Sequence, residues 1–320
     1  MAQSTLSLSG ASAPLVLTRE EEFVKRKPRT LWSDAWNKFR RHTTAMIGVG
    51  VLLFIVLAVI VGPFLYTRSP AKLDFGNTKS PPTAENIFGT NHLGQDQLAR
   101  ILTGGRISIA VGIVAMLVAI FLGILIGAIA GFFGGAVDGW LMRITELFLS
   151  LPVLPVLIMT IYLFREPLRA AFGLSLGVFF LMVLLIGLFN WMSVARVVRA
   201  SFLSLKQKEF VEAANCLGVP TRSIIFRHIL PNVLSPVIVA ATIAVGEAIV
   251  TESTLSFLGL GFPPDFPTWG RMLFDAQDYL SQHPHIALVP GALIFITVLS
   301  INYVGDGLRD ALDPRSLLRG

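Results

Sequence analysis

The sequence predicts an all-α polytopic membrane protein with six transmembrane helices, and three observations predict it. Of 320 residues, 53% are hydrophobic and only 14% are charged, with a mean hydropathy of +0.69, which is too apolar for an ordinary soluble domain. Nearly uncharged runs long enough for a helix to cross the hydrocarbon core, which takes about 20 residues, occur six times. Lys and Arg are split unevenly across those runs, as the positive-inside rule requires.

The elements follow in order. Residues 1–44 form a cytoplasmic tail, disordered by composition over 1–30. Within it, Leu31, Trp32, Ala35, Trp36 and Phe39 fall at helical spacing beside Lys38, Arg40 and Arg41, so 31–41 reads as an interfacial helix on lipid headgroups. The first span is 45–66, too long and too far from the start to be a cleaved signal. An extracytoplasmic loop occupies 67–104. The second span, 107–133, leads through a tight turn to a third, 146–164, disturbed by Pro152 and Pro155. The fourth is 174–194, the fifth 233–260 and the sixth 286–304, before a cytoplasmic tail at 306–320. With the N-terminus inside, 18 of the 26 Lys and Arg residues lie on the cytoplasmic side and 8 outside. The net charge of +6 is then mostly this bias, with anionic lipid and not nucleic acid as partner.

Missing chemistry narrows the function. There is no G-x-x-x-x-G-K-[ST] loop to cradle ATP phosphates and no H-E-x-x-H, so no catalytic residue is assigned and an enzyme is not expected. Cys216 is the sole cysteine, so no disulfide forms within the chain. His283 and His285 have a chelating spacing in an external loop, but two ligands make an incomplete site, and no metal is expected.

The polar insert 209–232, EFVEAANCLGVPTRSIIFRHILPN, is the feature that lipid alone does not explain. Phe210, Val211, Ala214 and Leu217 make a narrow apolar stripe on a short helix. Gly218 can take the left-handed conformation that stops a helix, and Pro220 cannot continue it. Thr221 is a fitting N-cap for a second helix from Arg222 to Leu230, and Pro231 suits the first turn of the next span. The expectation is a short, rigid elbow at the membrane surface.

Those residues carry a resemblance. Glu212, Ala213 and Ala214, then Gly218, then Leu230 and Pro231 resemble the EAA loop of permease subunits of bacterial ATP-binding-cassette importers. His228 stands where the family's pattern has an apolar residue, and the resulting HILPN is similar to peptide-type permeases. ARVVRASFLSLKQKEF before the loop, TLSFLGLGFPP after it and GDGLRDALDPR near the end resemble the C-type permease of dipeptide and oligopeptide importers. FGTNHLGQDQL resembles that group's outer-loop signature, with Asn91 and Gln95 in place of the commoner Asp and Arg.

The resemblance implies a type I importer transmembrane fold, with one domain over 105–305. It implies a sister permease, two cytoplasmic ATPase subunits that bind ATP and Mg, and an extracytoplasmic substrate-binding protein, with no cofactor in this chain. The elbow, including Arg222 and His228, would be the coupling helix seated on an ATPase. Peptides are the implied cargo; glutathione and nickel chelates remain as alternatives.

Two glutamates fall inside the fifth span. Glu247 lies near mid-bilayer and Glu252 nearer the outer interface. An ionisable group facing lipid there costs at least ~2.5 kcal/mol, so both are expected to point into the bundle, either lining a translocation path or bonding a neighbouring helix or the sister subunit. The latter suits Glu252. Glu247 also defines a rival function, a proton-coupled secondary carrier, which would leave the elbow without a purpose.

Overall fold

The computed structural model describes residues 31–313; the expected 1–30 tail and the last residues of the 306–320 tail lie outside them. The helices are α1 (Leu31–Arg41), α2 (Thr43–Leu65), α3 (Gln97–Phe133), α4 (Gly135–Ser150), α5 (Val153–Phe172), α6 (Leu174–Lys206), α7 (Glu209–Cys216), α8 (Leu230–Phe257), α9 (Trp269–Ala276) and α10 (His285–Leu312). Among the described residues the only β pairing is an isolated bridge, Thr90 to Asp96. Five helical units are long and apolar enough to cross a membrane, and α4 with α5 makes a sixth if that bent pair is one span.

That bend corrects the expected third span. Residues 146–164 are not one helix: α4 and α5 meet at 87°. Leu151, forced away from helical backbone by the proline that follows it, is extended at φ −74°, ψ 137°, and Pro152 caps α5. Pro155 sits in the first turn of α5, where a missing N–H costs little.

Two other spans run further than the apolar count suggests. Asp96 caps α3 through its carboxylate, 2.8 Å from the Ala99 N–H, so helix starts at Gln97 instead of 107. Similarly, α10 continues through Gly305–Leu312, where α1 packs Ala35 and Phe39 against Val304, Leu308 and Ala311. The α1 helix is therefore held by protein as well as by the interface, with Trp36 left exposed.

The bundle is centred on α3 against α6. Gly123, Gly127 and Gly131 recur every four residues on one side of α3, and a Cβ at any of them would come within 2.5–2.6 Å of Val194, Ala195 or Phe202 of α6. Close backbone approach substitutes for the hydrophobic drive that lipid removes. A bidentate pair, Arg199 Nε and Nη2 to Asp138 at 2.5 and 2.6 Å, fastens α4 to α6. One end of the bundle carries the loop preceding α3 and the short α9; the other carries α7. These are called the loop end and the elbow end below.

Candidate functional site

At the elbow end, α6 stops at Lys206 and the chain turns into α7. Gly218 ends α7 in the left-handed conformation, φ +72°. Around it Val219 N–H reaches the Ala214 carbonyl at 3.1 Å and Gly218 N–H reaches Asn215 at 3.0 Å, the paired bonds of a Schellman stop. Pro220 then caps the next turn, Thr221–Ser223, with no side-chain bond. Thr221 is therefore inside that turn and not its N-cap, because the proline ahead of it already fixes the extended backbone that the position needs.

The second limb is not a separate helix ending at Leu230. Ile224–Ile229 is wound as a π turn and runs straight into α8. Pro231 supplies the reason: in an α-helix its ring would collide with the carbonyl four residues back, at Arg227, and it offers no N–H. Widening the turn relieves the clash. Leu230 N–H then bonds the Ile225 carbonyl five residues back, and Asn232 Nδ2 satisfies the His228 carbonyl at 2.7 Å. The core side follows the same spacing. Ile224, Ile229, Val233 and Val237, five, four and four residues apart, are all buried in one cluster with Val211, Ala214, Val198 and Phe202. In a regular α-helix at 3.6 residues per turn, Ile224 and Ile229 would point about 140° apart. Sequence reasoning missed the π turn; a spacing of five between apolar residues just ahead of Leu-Pro was its signal.

The expected apolar stripe divides. Val211 and Ala214 face this chain's own core at 0% and 6% exposure, whereas Phe210 and Leu217 are exposed, Leu217 at 83%. Glu212, Ala213, Gly218, Arg222 and Pro231 lie exposed with them, Phe226 is exposed beside Arg222, and His228 and Leu230 are half-buried. The elbow thus has one side locked into α6 and α8 and another presenting apolar rings between an acid and a base.

The model of the family described as binding-protein-dependent transport system inner membrane component matches residues 123–317, the stretch that contains the elbow. The chain belongs to that family. A second model, the N-terminal TM domain of oligopeptide transport permease C, matches residues 30–82 of the permease. The oligopeptide transport system permease protein OppC of Escherichia coli (strain K12) is 41% identical over 92% of the permease and 94% of its own length. The dipeptide transport system permease protein DppC of Bacillus subtilis (strain 168) is 37% identical, over 93% and 90%. Inward-facing MetNI, a methionine ABC transporter, has a chain that superposes with a TM-score of 0.53 at 19% identity, covering 66% of the permease and 94% of that chain, a likeness of fold. The permease is accordingly a multi-pass membrane component of an ABC importer, which works with separate ATPase and other subunits and is not itself an enzyme.

Within the permease, Glu252 and Glu247 part company. Glu252 is 0% exposed; Ser256 Oγ donates to it at 2.7 Å, and the hydroxyls of Thr268, Ser253 and Ser108 also bond it. It ties α8 to α3 and to the cap of α9. Glu247 does not point into this chain's core but is exposed on α8. The cost of leaving a charged carboxylate facing lipid at this depth still holds.

At the loop end, Asn91 and Gln95 are buried and bonded to each other three times: Asn91 Nδ2 to Gln95 Oε1 at 2.8 Å, Gln95 N–H to Asn91 Oδ1 at 2.9 Å, and Asn91 N–H to the Gln95 carbonyl at 3.0 Å. Arg100 donates to Gln95 at 2.5 Å and to Asp275 of α9 at 3.1 Å, and Arg271 closes on Asp275 at 3.0 Å. The two departures in the outer-loop signature are thus one coupled exchange, a neutral amide pair beside an arginine that already has its carboxylate. Burial holds the nearby His92 imidazole below its ordinary pKa, with Asp275 pulling the other way and Arg100 and Arg271 adding to the fall. His283 and His285 lie with ring centroids 6.1 Å apart, and among the described residues no group of three potential ligands forms.

Proposed function

We propose that this permease is the C-type subunit of an importer of dipeptides or oligopeptides. It would pair with a sister permease, receive cargo from an extracytoplasmic binding protein, and be moved by two ATPase subunits that carry ATP and Mg. The elbow carries this reading. Its inner side is packed into α6 and α8, so force applied to Phe210, Leu217 and Phe226 would be delivered to two spanning helices at once. The peptide cargo is favoured by the two named relatives, and the Lys and Arg bias favours the elbow end as cytoplasmic. Glutathione and nickel chelates are the competing cargoes.

The complex reconstituted in proteoliposomes tests the reading. Glu212→Lys should insert and pair with the sister permease yet lose the ATPases or uncouple hydrolysis from uptake, since a desolvated contact left unpaired costs a few kcal/mol. Labelled dipeptides, pentapeptides, glutathione and a nickel chelate would be compared as cargo. Single cysteines at Thr67 and Ser204, in a Cys216→Ser background, report orientation with an impermeant thiol reagent. Normal coupling in Glu212→Lys, import of the chelate alone, or outside labelling at Ser204 and not at Thr67 would each overturn the corresponding part.

A further inference from the structure

Glu247 lies about 25 Å along the helix from Leu230 and about 15 Å before Phe257 at 1.5 Å per residue, deep within a spanning segment. It shares one exposed side of α8 with Ile243, Val250 and Phe257. Among the described residues its carboxylate takes part in no hydrogen bond or ion pair; apart from the helix's own backbone bonds, the one bond at this residue is from the Thr251 hydroxyl to its backbone carbonyl. On α10, exposed Asn302 brings its Oδ1 to 3.9 Å from where a Cβ on Gly246 would sit, so an amide borders the same place. From Asn302 a groove of about 360 Å³ runs past Val250, Val298 and Phe295. Asn302 thus lines the apolar trough, and Glu247, the residue after Gly246, lies on the exposed side of α8 that it shares with Val250 of the same trough.

A buried intramembrane carboxylate calls for a cationic partner or water. The elements packed against α8 offer no cation at this depth. The α3 helix has no Lys, Arg or His after Arg106, α6 has none before Arg196, and α10 has none between His285 and Arg309 while adding Asp306 one turn past Asn302. Arg271 of α9 is already held by Asp275. The cargo can supply the missing cation: a peptide presents an ammonium at neutral pH, its α-amino pKa being about 7.7–8.0.

We propose that Glu247 and Asn302 form a station for the ammonium group of the passing peptide, with the adjoining groove receiving its first apolar side chain. Glu247 is then a specificity-determining residue of the path, and the proposal rests on the peptide-importer reading above. It also separates the two glutamates: Glu252 holds helices together, and Glu247 handles cargo.

The test uses the complete complex, with its binding protein saturated, in proteoliposomes. Uptake of Leu-Ala-Ala is measured for the wild type, Glu247→Gln and Glu247→Asp between pH 7 and 9.5, together with binding-protein-stimulated ATP hydrolysis. The wild-type to Glu247→Gln uptake ratio cancels the binding protein's own pH dependence. It should be about tenfold at pH 7, as expected for one lost charge-assisted contact, and approach one as the cargo amine deprotonates. Glu247→Asp should keep most of the wild-type rate, and hydrolysis should stay within twofold in both variants. A ratio of one at pH 7, or a ratio above one that stays flat with pH, would overturn the station while leaving peptide import standing. Failure of Glu247→Gln to assemble would overturn it too, by making Glu247 a structural contact. If the wild type imports other cargo but no peptide, both readings fall together.

Discussion

Replacing Gly218 separates two reasons for a glycine, and the structure says which applies. A Cβ at Gly218 would meet nothing within 4 Å, so size is no obstacle and only the backbone conformation resists. At φ +72° an alanine pays about 1–2 kcal/mol, a β-branched valine falls at the upper end of the roughly 1–3 kcal/mol range for left-handed strain, and asparagine pays little. If valine drives the backbone out of this region, the strain is relieved but the two bonds of the Schellman stop are lost, about 0.5–1.5 kcal/mol each. Either route costs roughly 1–3 kcal/mol, and the second frees α7 to swing on its link to α8. The assay is paired: ATPase subunits retained through purification, and peptide uptake per ATP hydrolysed. The expected order is Gly218→Asn close to wild type, Gly218→Ala intermediate and Gly218→Val uncoupled, although asparagine is larger than alanine. An order that followed side-chain volume, with asparagine worse than alanine, would refute the conformational argument.

Three further outcomes follow from the described contacts. Glu252→Leu should lower the melting temperature of the detergent-solubilised complex, because the hydroxyls of Ser108, Ser256 and Thr268 lose their acceptor at about 1–3 kcal/mol for each one left unsatisfied; Glu252→Gln should recover much of that. Gln95→Arg alone should destabilise the loop by about 2 kcal/mol by setting a second cation against buried Arg100, whereas Asn91→Asp with Gln95→Arg should restore it, a strong coupling in a double-mutant cycle read by protease resistance. Because burial lowers the His92 pKa, the unfolded loop takes up a proton below its ordinary value of about 6.5 while the folded loop does not. Loop stability should therefore fall as pH drops through that value, seen as faster amide exchange at Asn91, and His92→Phe, which keeps a ring against Tyr279, should remove the dependence.

Much of the bundle was legible because lipid demands unbroken apolar length, which residues 45–66 and 286–304 display directly. The third span was misread because hydropathy measures length and not direction: Pro152 marks a bend, but only the backbone shows that it turns by 87°. The elbow's stop at Gly218 was readable from one residue's conformational range. The side of α7 that faces outward was not, since an apolar stripe does not say which of its members the chain itself buries, as it does Val211 and Ala214, and which it leaves exposed, as it does Phe210 and Leu217. That Glu247 is exposed in this chain was not legible for the same reason: hydropathy places it in a span but does not say which side of α8 it takes.

The π turn ahead of α8 has a consequence for anyone recombining permeases. It amounts to one residue more than an α-helix would use between Ile224 and Ile229, carried in the backbone and invisible to residue identity. A chimera that grafts this elbow onto another subunit's spanning helix must preserve that count together with Pro231. A graft one residue short would keep every side chain familiar yet rotate the elbow's exposed side about 100° around the helix axis, which on the proposed coupling would aim it away from the ATPase.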